Sequence, residues 1–283
     1  MNKTSIKNFI KNMFFRYIDD EVTAMSSQLA YSLLLSFFPF IILLFTLIGY
    51  SPLKSTDVLS MLNNLLPNDV FKLVKNTVVE IVDTKRLGLL SFGMISTIWT
   101  ASNGFNAVIR GLNMAYDEEE KRPYWKVQLV AILSTLGLIV IILTALALIV
   151  FGELGLKLLV KHFKQIRTLE LIIDISRYII GIFIMLITIT IVYRFTPSKK
   201  LKIKEVIPGA IFTSLGWTAA SLIFAYYVNN FGNYSMIYGS LGAVIALMTW
   251  LFISSVIIML GGEINASIAY VKAGKEKPKG HKY

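Results

Sequence analysis

Three long stretches without a single charged residue constrain this chain more than any other feature. They run from residue 22 to 53, from 127 to 152 and from 206 to 262. The hydrocarbon core of a bilayer is about 30 Å thick, and a helix of about 20 apolar residues crosses it. Because backbone polar groups must pair within the chain in lipid, these stretches predict membrane-spanning helices. The longest stretch has room for two such helices joined by a tight turn.

Other apolar segments bring the number of predicted spans to six. The chain is 55% hydrophobic and only 16% charged, which is typical of polytopic membrane proteins. We therefore predict an all-α fold, in which residues 1–270 form a single six-helix transmembrane domain and residues 271–283 a basic, disordered cytoplasmic tail. The predicted spans cover roughly residues 28–50, 87–114, 127–152, 172–193, 206–228 and 237–268.

Basic residues gather in the segments predicted to face one side of the membrane. The N-terminal segment, the loops after the second and fourth spans, and the C-terminal tail together hold more Lys and Arg than the segments between them. The positive-inside rule then predicts that both termini are cytoplasmic and that the protein is a multi-pass protein of the plasma membrane. The excess of basic residues that gives the net charge of +11 lies mainly in these same segments. We therefore expect membrane lipids, with the anionic head groups of the inner leaflet, as partners rather than nucleic acid.

Two segments outside the spans have apolar residues at helical spacing. Residues 1–24 combine them with Lys and Arg, which predicts an amphipathic helix on the inner leaflet. The first outer loop, residues 51–86, predicts two short amphipathic helices separated at Pro67. The first span is too long for a cleavable signal peptide, so we expect it to remain as a signal anchor.

The second predicted span carries four polar residues at regular spacing. Asn103, Asn106, Arg110 and Asn113 stand at i, i+3, i+7 and i+10, so they form one stripe on a helix. A stripe of this kind is expected to look inward, at partner helices or at a water-filled cavity. One interpretation is a pathway for a polar substrate. The alternative is interhelical hydrogen bonding, where each side chain contributes about 1 kcal/mol or less.

Charged residues of three predicted spans lie at a similar depth near the inner face. Arg110 ends the second span, Glu263 lies near the end of the sixth, and Asp20 and Glu21 precede the first. This placement predicts an inner gate in which Arg110 pairs with Glu263, with the stripe asparagines and Asn265 around it. The alternative is a static lock that holds the helix ends together, since any ionisable group near the core needs a partner.

Glycine and proline residues mark sites of predicted helix packing or kinking. Small residues allow close approach of helices, and proline removes a helix hydrogen bond. These residues are Pro39, Pro208, Gly209, Gly239, Gly242, Gly261 and Gly262.

The sequence shows little sign of soluble-enzyme chemistry. It has no cysteine, and its two histidines, His162 and His281, have no partners at metal-ligand spacing. Neither a P-loop nor a Rossmann glycine pattern is present. We therefore predict no catalytic residues, no metal site and no cofactor, and we expect that the protein is not an enzyme.

Four stretches of the chain resemble a known family. They are Leu29–Pro39 (LAYSLLLSFFP), Ile98–Tyr116, Pro208–Trp217 (PGAIFTSLGW) and Tyr238–Ala266, which contains YGSLG, Trp250 and GGEINA. Together they are similar to the YihY/virulence factor BrkB family of bacterial inner-membrane proteins. The resemblance implies a six-helix integral protein of the inner membrane. It also implies links to envelope integrity and to transport of lipid-like molecules.

Older descriptions of that family as ribonuclease BN find no support in these residues, because the metal ligands and general bases of a nuclease are missing. We expect a transporter or flippase-type translocator of a lipid-like or amphiphilic envelope molecule. The alternatives are an exporter or channel for small solutes or ions, and a non-transporting scaffold that supports envelope integrity. A membrane-embedded enzyme is less favoured, and the sequence leaves a homo-oligomer open. Solvent access to Asn103 and Asn106 separates a conduit from a scaffold.

Overall fold

A computed structural model describes residues 13–50, 87–141, 167–231 and 242–272, together with 55–56, 59, 75, 78–80 and 82. All the regular secondary structure in these ranges is helical, with no strand, so the all-α prediction is confirmed for the described part of the chain. The helices are α1 (residues 13–19), α2 (Val22–Gly49), α3 (Leu87–Ala115), α4 (Tyr124–Ile141), α5 (Arg167–Phe195), α6 (Ile203–Phe231) and α7 (Gly242–Lys272).

Four of these helices are long and apolar enough to cross a membrane. They are α2, α4 and the segments Ile203–Val228 of α6 and Val244–Lys272 of α7, whereas α5 holds the shorter apolar segment Ile179–Phe195. The protein is therefore a multi-pass membrane protein. Helix α3 has 29 residues and carries the polar stripe. The six-span topology stays a prediction.

Helix α1 has one exposed apolar face and one buried polar face. Phe14, Phe15 and Ile18 are exposed, while Arg16 and Asp20 are buried. Glu21 separates α1 from α2 with a φ of 47°, in the left-handed region, so the chain turns there between the two helices. Residues 1–12, most of the first outer loop and the tail from residue 273 lie outside the described residues, and so do the predictions made for them.

The chain forms two compact units, Met1–Tyr31 with Ser102–Tyr283, and Ser32–Ala101. In the smaller unit, Phe45 packs with Val78 and Val82. In the larger unit, Phe105 and Ile109 of α3 pack against Ala131 of α4. The single transmembrane domain of residues 1–270 stays a prediction.

Helices α6 and α7 approach closely at two glycines. A side chain at Gly209 would collide with the carbonyl of Gly261, and one at Gly261 would collide with Thr213 and with Tyr193 of α5. The Tyr193 side chain occupies the space beside Gly261. Its hydroxyl lies 2.7 Å from Thr213 Oγ1 and donates a hydrogen bond to the Ile258 carbonyl. Three helices therefore meet at this point without a gap.

The other described glycines and prolines predicted at packing or kink sites lie in different helices. Pro39 lies inside α2 and Pro208 inside α6. Gly242 is the buried first residue of α7, and Gly262 leaves room for Leu112 of α3. Gly239 lies outside the described residues.

Candidate functional site

The polar stripe of α3 is divided between exposed and buried positions. Asn103 and Arg110 are exposed, Asn106 is half-buried and Asn113 is buried. The buried residues of the same helix include Ala107, Val108, Ile109 and Leu112, while its first half exposes Phe92, Met94, Ile95 and Trp99. The second half of α3 thus packs with its apolar side and leaves two polar side chains outside the packed interface, on the side that is apolar in the first half.

Arg110 contacts α2 through a neutral amide. Its Nη2 donates a hydrogen bond of 2.6 Å to Gln28 Oε1. The predicted ion pair with Glu263 is wrong, because Glu263 is buried and pairs with Arg16 instead. The prediction used only the depth of the two residues in the membrane. Whether two residues at the same depth meet depends also on which side of each helix they lie.

Asn106 belongs to a chain of side-chain hydrogen bonds between α3 and α4. Its Nδ2 donates 3.0 Å to Gln128 Oε1, and Gln128 Nε2 donates 3.2 Å to Ser102 Oγ. The Oδ1 atom of Asn106 is buried and accepts no hydrogen bond from the described residues. The Nδ2 atom of Asn106 therefore links α3 to α4, while its Oδ1 atom is an acceptor that the described residues do not use.

Glu263 forms the centre of a buried charged cluster. Its Oε2 lies 3.4 Å from Arg16 Nη1, and the two side chains are only 2% and 6% exposed. The same Nη1 atom donates 3.2 Å to the carbonyl of Ala115, at the end of α3. The guanidinium also stands 4.9 Å from the ring centre of Tyr270. Arg16 therefore joins α1 to α3 and α7.

The sequence analysis did not predict a buried role for Arg16, because it treated this residue only as one of the basic residues of the N-terminal amphipathic helix. A usable signal was present. On a helix, Phe14, Phe15 and Ile18 share one side, whereas Arg16 and Asp20, four residues apart, share another. If the aromatic side contacts lipid, the other side must face protein, so Arg16 needs a buried partner.

The remaining acidic candidates have different surroundings. Asp20 is 2% exposed, and Glu21 is exposed at the turn before α2. The structure pairs neither with Arg110 in the described region.

Asn265 cross-links α7 to the start of α6. Its Oδ1 accepts a hydrogen bond of 2.6 Å from the backbone N–H of Gly209, and its Nδ2 donates 3.0 Å to the Val206 carbonyl. The missing side chain of Gly209 leaves the space that the amide of Asn265 occupies. Both polar ends of this buried amide are therefore used in packing.

Asn113 holds two loops at the end of α3. Its Oδ1 accepts 2.8 Å from the N–H of Ser198, and its Nδ2 donates 2.9 Å to Glu120 Oε2. Arg122 binds both carboxylate oxygens of Glu120 and donates 2.9 Å to the Thr196 carbonyl. The hydrogen bond from Arg122, supported by the one from Asn113, holds the pKa of Glu120 below its ordinary value. This network is a structural lock.

The last turn of α3 ends in a Schellman motif. Asp117 has a φ of 54°, Glu118 N–H donates 2.9 Å to the Asn113 carbonyl, and Asp117 N–H donates 3.1 Å to the Met114 carbonyl. The end of the helix is therefore fixed by its own backbone as well as by the lock.

These contacts sort the candidates by what they can do. Glu263, Asn265 and Asn113 have their polar atoms committed to protein partners. Arg110 and Asn103 present polar atoms outside the packed interface. Of the predicted site residues on α3 and α7, these two are the ones best placed to bind an external polar group. The described residues contain no group of three His, Cys, Asp or Glu side chains that could hold a metal ion.

Comparison with known proteins identifies the family. The sequence matches the virulence factor BrkB family over residues 13–283. It is 42% identical over 261 residues to a ribonuclease-like protein, YfkH, of Bacillus subtilis, covering 92% of this chain and 94% of that protein. It is 24% identical over 268 residues to a UPF0761 membrane protein of Haemophilus influenzae, covering 93% and 96% respectively. A UPF0761 membrane protein of Aliivibrio salmonicida is 25% identical over 264 residues, with 89% of this chain and 80% of that protein covered. No solved structure matches the chain. The family match covers nearly the whole sequence, so this chain is a membrane protein of the virulence factor BrkB family.

Proposed function

We propose that this protein is a translocator of a lipid-like or amphiphilic molecule in the bacterial inner membrane. The observation that carries the proposal is the change from apolar to polar residues along the exposed side of α3. A helix that faces lipid is expected to expose apolar residues, because hydrocarbon offers no hydrogen-bond partners. In its first half, α3 exposes Phe92, Ile95 and Trp99 as expected. In its second half, the same side exposes Asn103 and Arg110, while Ile109 and Leu112 are buried. Such exposed polar groups need water or a polar ligand beside them.

The spacing of the exposed residues suits the passage of a head group. Asn103 and Arg110 are seven residues apart, which is about 10 Å along a helix that rises 1.5 Å per residue. With both termini cytoplasmic, Arg110 lies near the inner end of α3 and Asn103 close to its middle. A polar head group then moves along this stripe, while its apolar tails stay in the surrounding lipid.

A membrane scaffold is the second candidate, and the buried clusters favour it. Arg16–Glu263 and the Asn113 network bind α1, α3 and α7 and the neighbouring loops into a rigid end. In a scaffold, the exposed side of α3 is covered by a second copy or by a partner protein. The two candidates therefore differ in whether water reaches Asn103.

Cysteine labelling tests the difference, because the native sequence has no cysteine. Single variants Asn103→Cys and Arg110→Cys are treated with a charged, membrane-impermeant thiol reagent in vesicles. Phe183→Cys is the matched control: it is exposed on α5 at the same position in a 29-residue helix as Asn103 is in α3. Asn113→Cys is the buried control. A translocator predicts labelling at both stripe positions and none at either control.

The outcome for a scaffold is different. Protection of Asn103→Cys to the level of Phe183→Cys, while Glu119→Cys in the exposed loop is labelled, contradicts the translocator. Lipid movement is measured in parallel, as loss of a fluorescent lipid from the outer leaflet of vesicles that contain the purified protein. No acceleration over protein-free vesicles contradicts the translocator as well.

A further inference from the structure

The charge of Arg110 is unusual for its position. It is the single charged residue of α3, and α2, which it contacts, contains no charged residue at all. Glu263, the acidic residue of α7, is used by Arg16. The hydrogen bond that Arg110 makes is to Gln28, a neutral amide. An exposed positive charge therefore remains at this point of the larger unit.

The guanidinium of Arg110 has donors left for a ligand. It carries five N–H groups in a planar fork, and Gln28 accepts from Nη2. This contact fixes one edge of the fork and orients the group. Arginine binds phosphate with two parallel hydrogen bonds, and a fork that is already held loses less conformational freedom on binding.

The depth of the group matches the phosphate layer of a leaflet. Arg110 is five residues from the end of α3, which corresponds to about 8 Å along the axis. Gln28 is six residues from the start of α2, so both side chains lie within two turns of the helix ends that are predicted to face the cytoplasm. Tyr31, three residues after Gln28 on the same side of α2, is 55% exposed. Tyrosine at this depth is typical of a membrane interface.

Three other basic side chains near this end of α3 have acidic partners. Arg16 is buried with Glu263, Arg122 is bound by Glu120, and Lys199 lies 2.9 Å from Glu118. Arg110 differs from them because its protein partner leaves its charge uncompensated.

We propose that Arg110, oriented by Gln28, binds the phosphate of an anionic lipid head group and so selects the lipid that enters the stripe. This inference rests on the proposed function for its role, but the binding site can be tested without transport. The ligand class is a phosphodiester lipid with a net negative charge, and a zwitterionic lipid of the same chain length is the weaker ligand.

The experiment measures lipid binding to the full-length protein by native mass spectrometry. The protein is purified in detergent and titrated with phosphatidylglycerol or with phosphatidylcholine of equal chain length. Variants are Arg110→Gln, Arg110→Lys and the control Lys126→Gln, which removes an equal charge from an exposed residue at the start of α4. Because hydrogen bonds to charged groups are stronger than neutral ones, we expect Arg110→Gln to weaken phosphatidylglycerol binding about tenfold. Arg110→Lys keeps the charge but loses the fork, so we expect a loss of about threefold.

Several results would overturn the proposal. Equal affinities of Arg110→Gln and Lys126→Gln show that Arg110 is not the site, and equal affinities of Arg110→Lys and the native protein show that the fork is not used. Displacement of phosphatidylglycerol by inorganic phosphate shows a soluble anion as the ligand instead of a lipid. If Arg110→Gln does not fold, Gln28→Leu takes its place and is expected to weaken binding about threefold through loss of the orienting contact.

Failure of the proposed function is recognised separately. If the native protein binds phosphatidylglycerol through Arg110 but moves no lipid across vesicles, the lipid site stands and the translocator is wrong.

Discussion

Replacing Glu263 with glutamine tests the buried ion pair that joins α1 to α7. The substitution keeps the size of the side chain and removes its charge, while Arg16 remains buried at 6% exposure. Removing one partner of a buried pair costs about 3–5 kcal/mol, because the other charge is left without compensation. Arg16 keeps the Ala115 carbonyl and the ring of Tyr270, which lowers the cost. We therefore expect a loss of about 3 kcal/mol in the free energy of unfolding.

The matched control is a surface ion pair of the same chain. Lys199 and Glu118 are 2.9 Å apart, closer than Arg16 and Glu263, but their side chains are 40% and 34% exposed. Exposed pairs contribute about 0–1 kcal/mol. Glu118→Gln should therefore cost at most about 1 kcal/mol, although its pair has the shorter distance.

The assay is reversible unfolding in mixed micelles of mild detergent and SDS. The double variant Arg16→Met/Glu263→Gln is measured beside the single ones, since it removes both charges. We expect it to be more stable than Glu263→Gln alone, because no unpaired charge is left. A cost for Glu263→Gln no greater than that of Glu118→Gln would refute the reasoning, since burial would then have no effect on this pair.

Three further predictions concern packing and pH. Asn265→Ala should lower the free energy of unfolding by about 2–3 kcal/mol, because it leaves a buried backbone N–H of α6 without its acceptor; SDS titration measures the loss. Gly261→Ala should sharply reduce the amount of folded protein recovered from membranes, since the added methyl collides with α5 and α6, whereas Gly181→Ala, which meets no atom within 4 Å, should be tolerated. The stabilisation from Glu120 should be present above its ordinary pKa of 4.5 and disappear as the pH falls through its lowered folded pKa. The stability difference between the native protein and Glu120→Gln should shrink over that range, and an Arg122→Gln background should reduce this pH dependence, since the hydrogen bond from Asn113 then remains.

The helices followed from the sequence because hydropathy is a local property. The second predicted span, 87–114, agrees with Leu87–Ala115, and the first, fourth and fifth differ from the observed helices by a few residues at their ends. The predicted start of the sixth span, residue 237, lies outside the described residues, and its predicted end at 268 is four residues before the end of α7 at Lys272. Differences of this size arise because lipid contact fixes the apolar part of a helix, but capping and loop contacts fix its ends.

The partners of the charged residues did not follow, because they depend on how each helix is rotated. Depth alone placed Glu263 beside Arg110. In the structure, the packed side of α3 includes Ile109 and Leu112, so Arg110 points elsewhere and meets Gln28. Arg16 reaches Glu263 from a short helix that hydropathy does not place in three dimensions. The rotation of each helix about its axis is set by the packing of the whole bundle, so it cannot be predicted from any single segment.

The contacts at the end of α3 constrain the proposed translocation. Arg16 binds the Ala115 carbonyl, Asn113 binds Ser198 and Glu120, and Gly262 fits against Leu112. A transport cycle that rotated this end would break hydrogen bonds that are buried or partly buried, and leaving a buried partner unsatisfied costs about 1–3 kcal/mol. Arg110 lies less than one turn from Asn113, so its exposure is set by the same contacts. In the proposed translocator, we therefore expect α3 to stay fixed while the head group moves along it. Arg110 is then already ordered in the folded protein, so ordering it adds no cost when a head group binds.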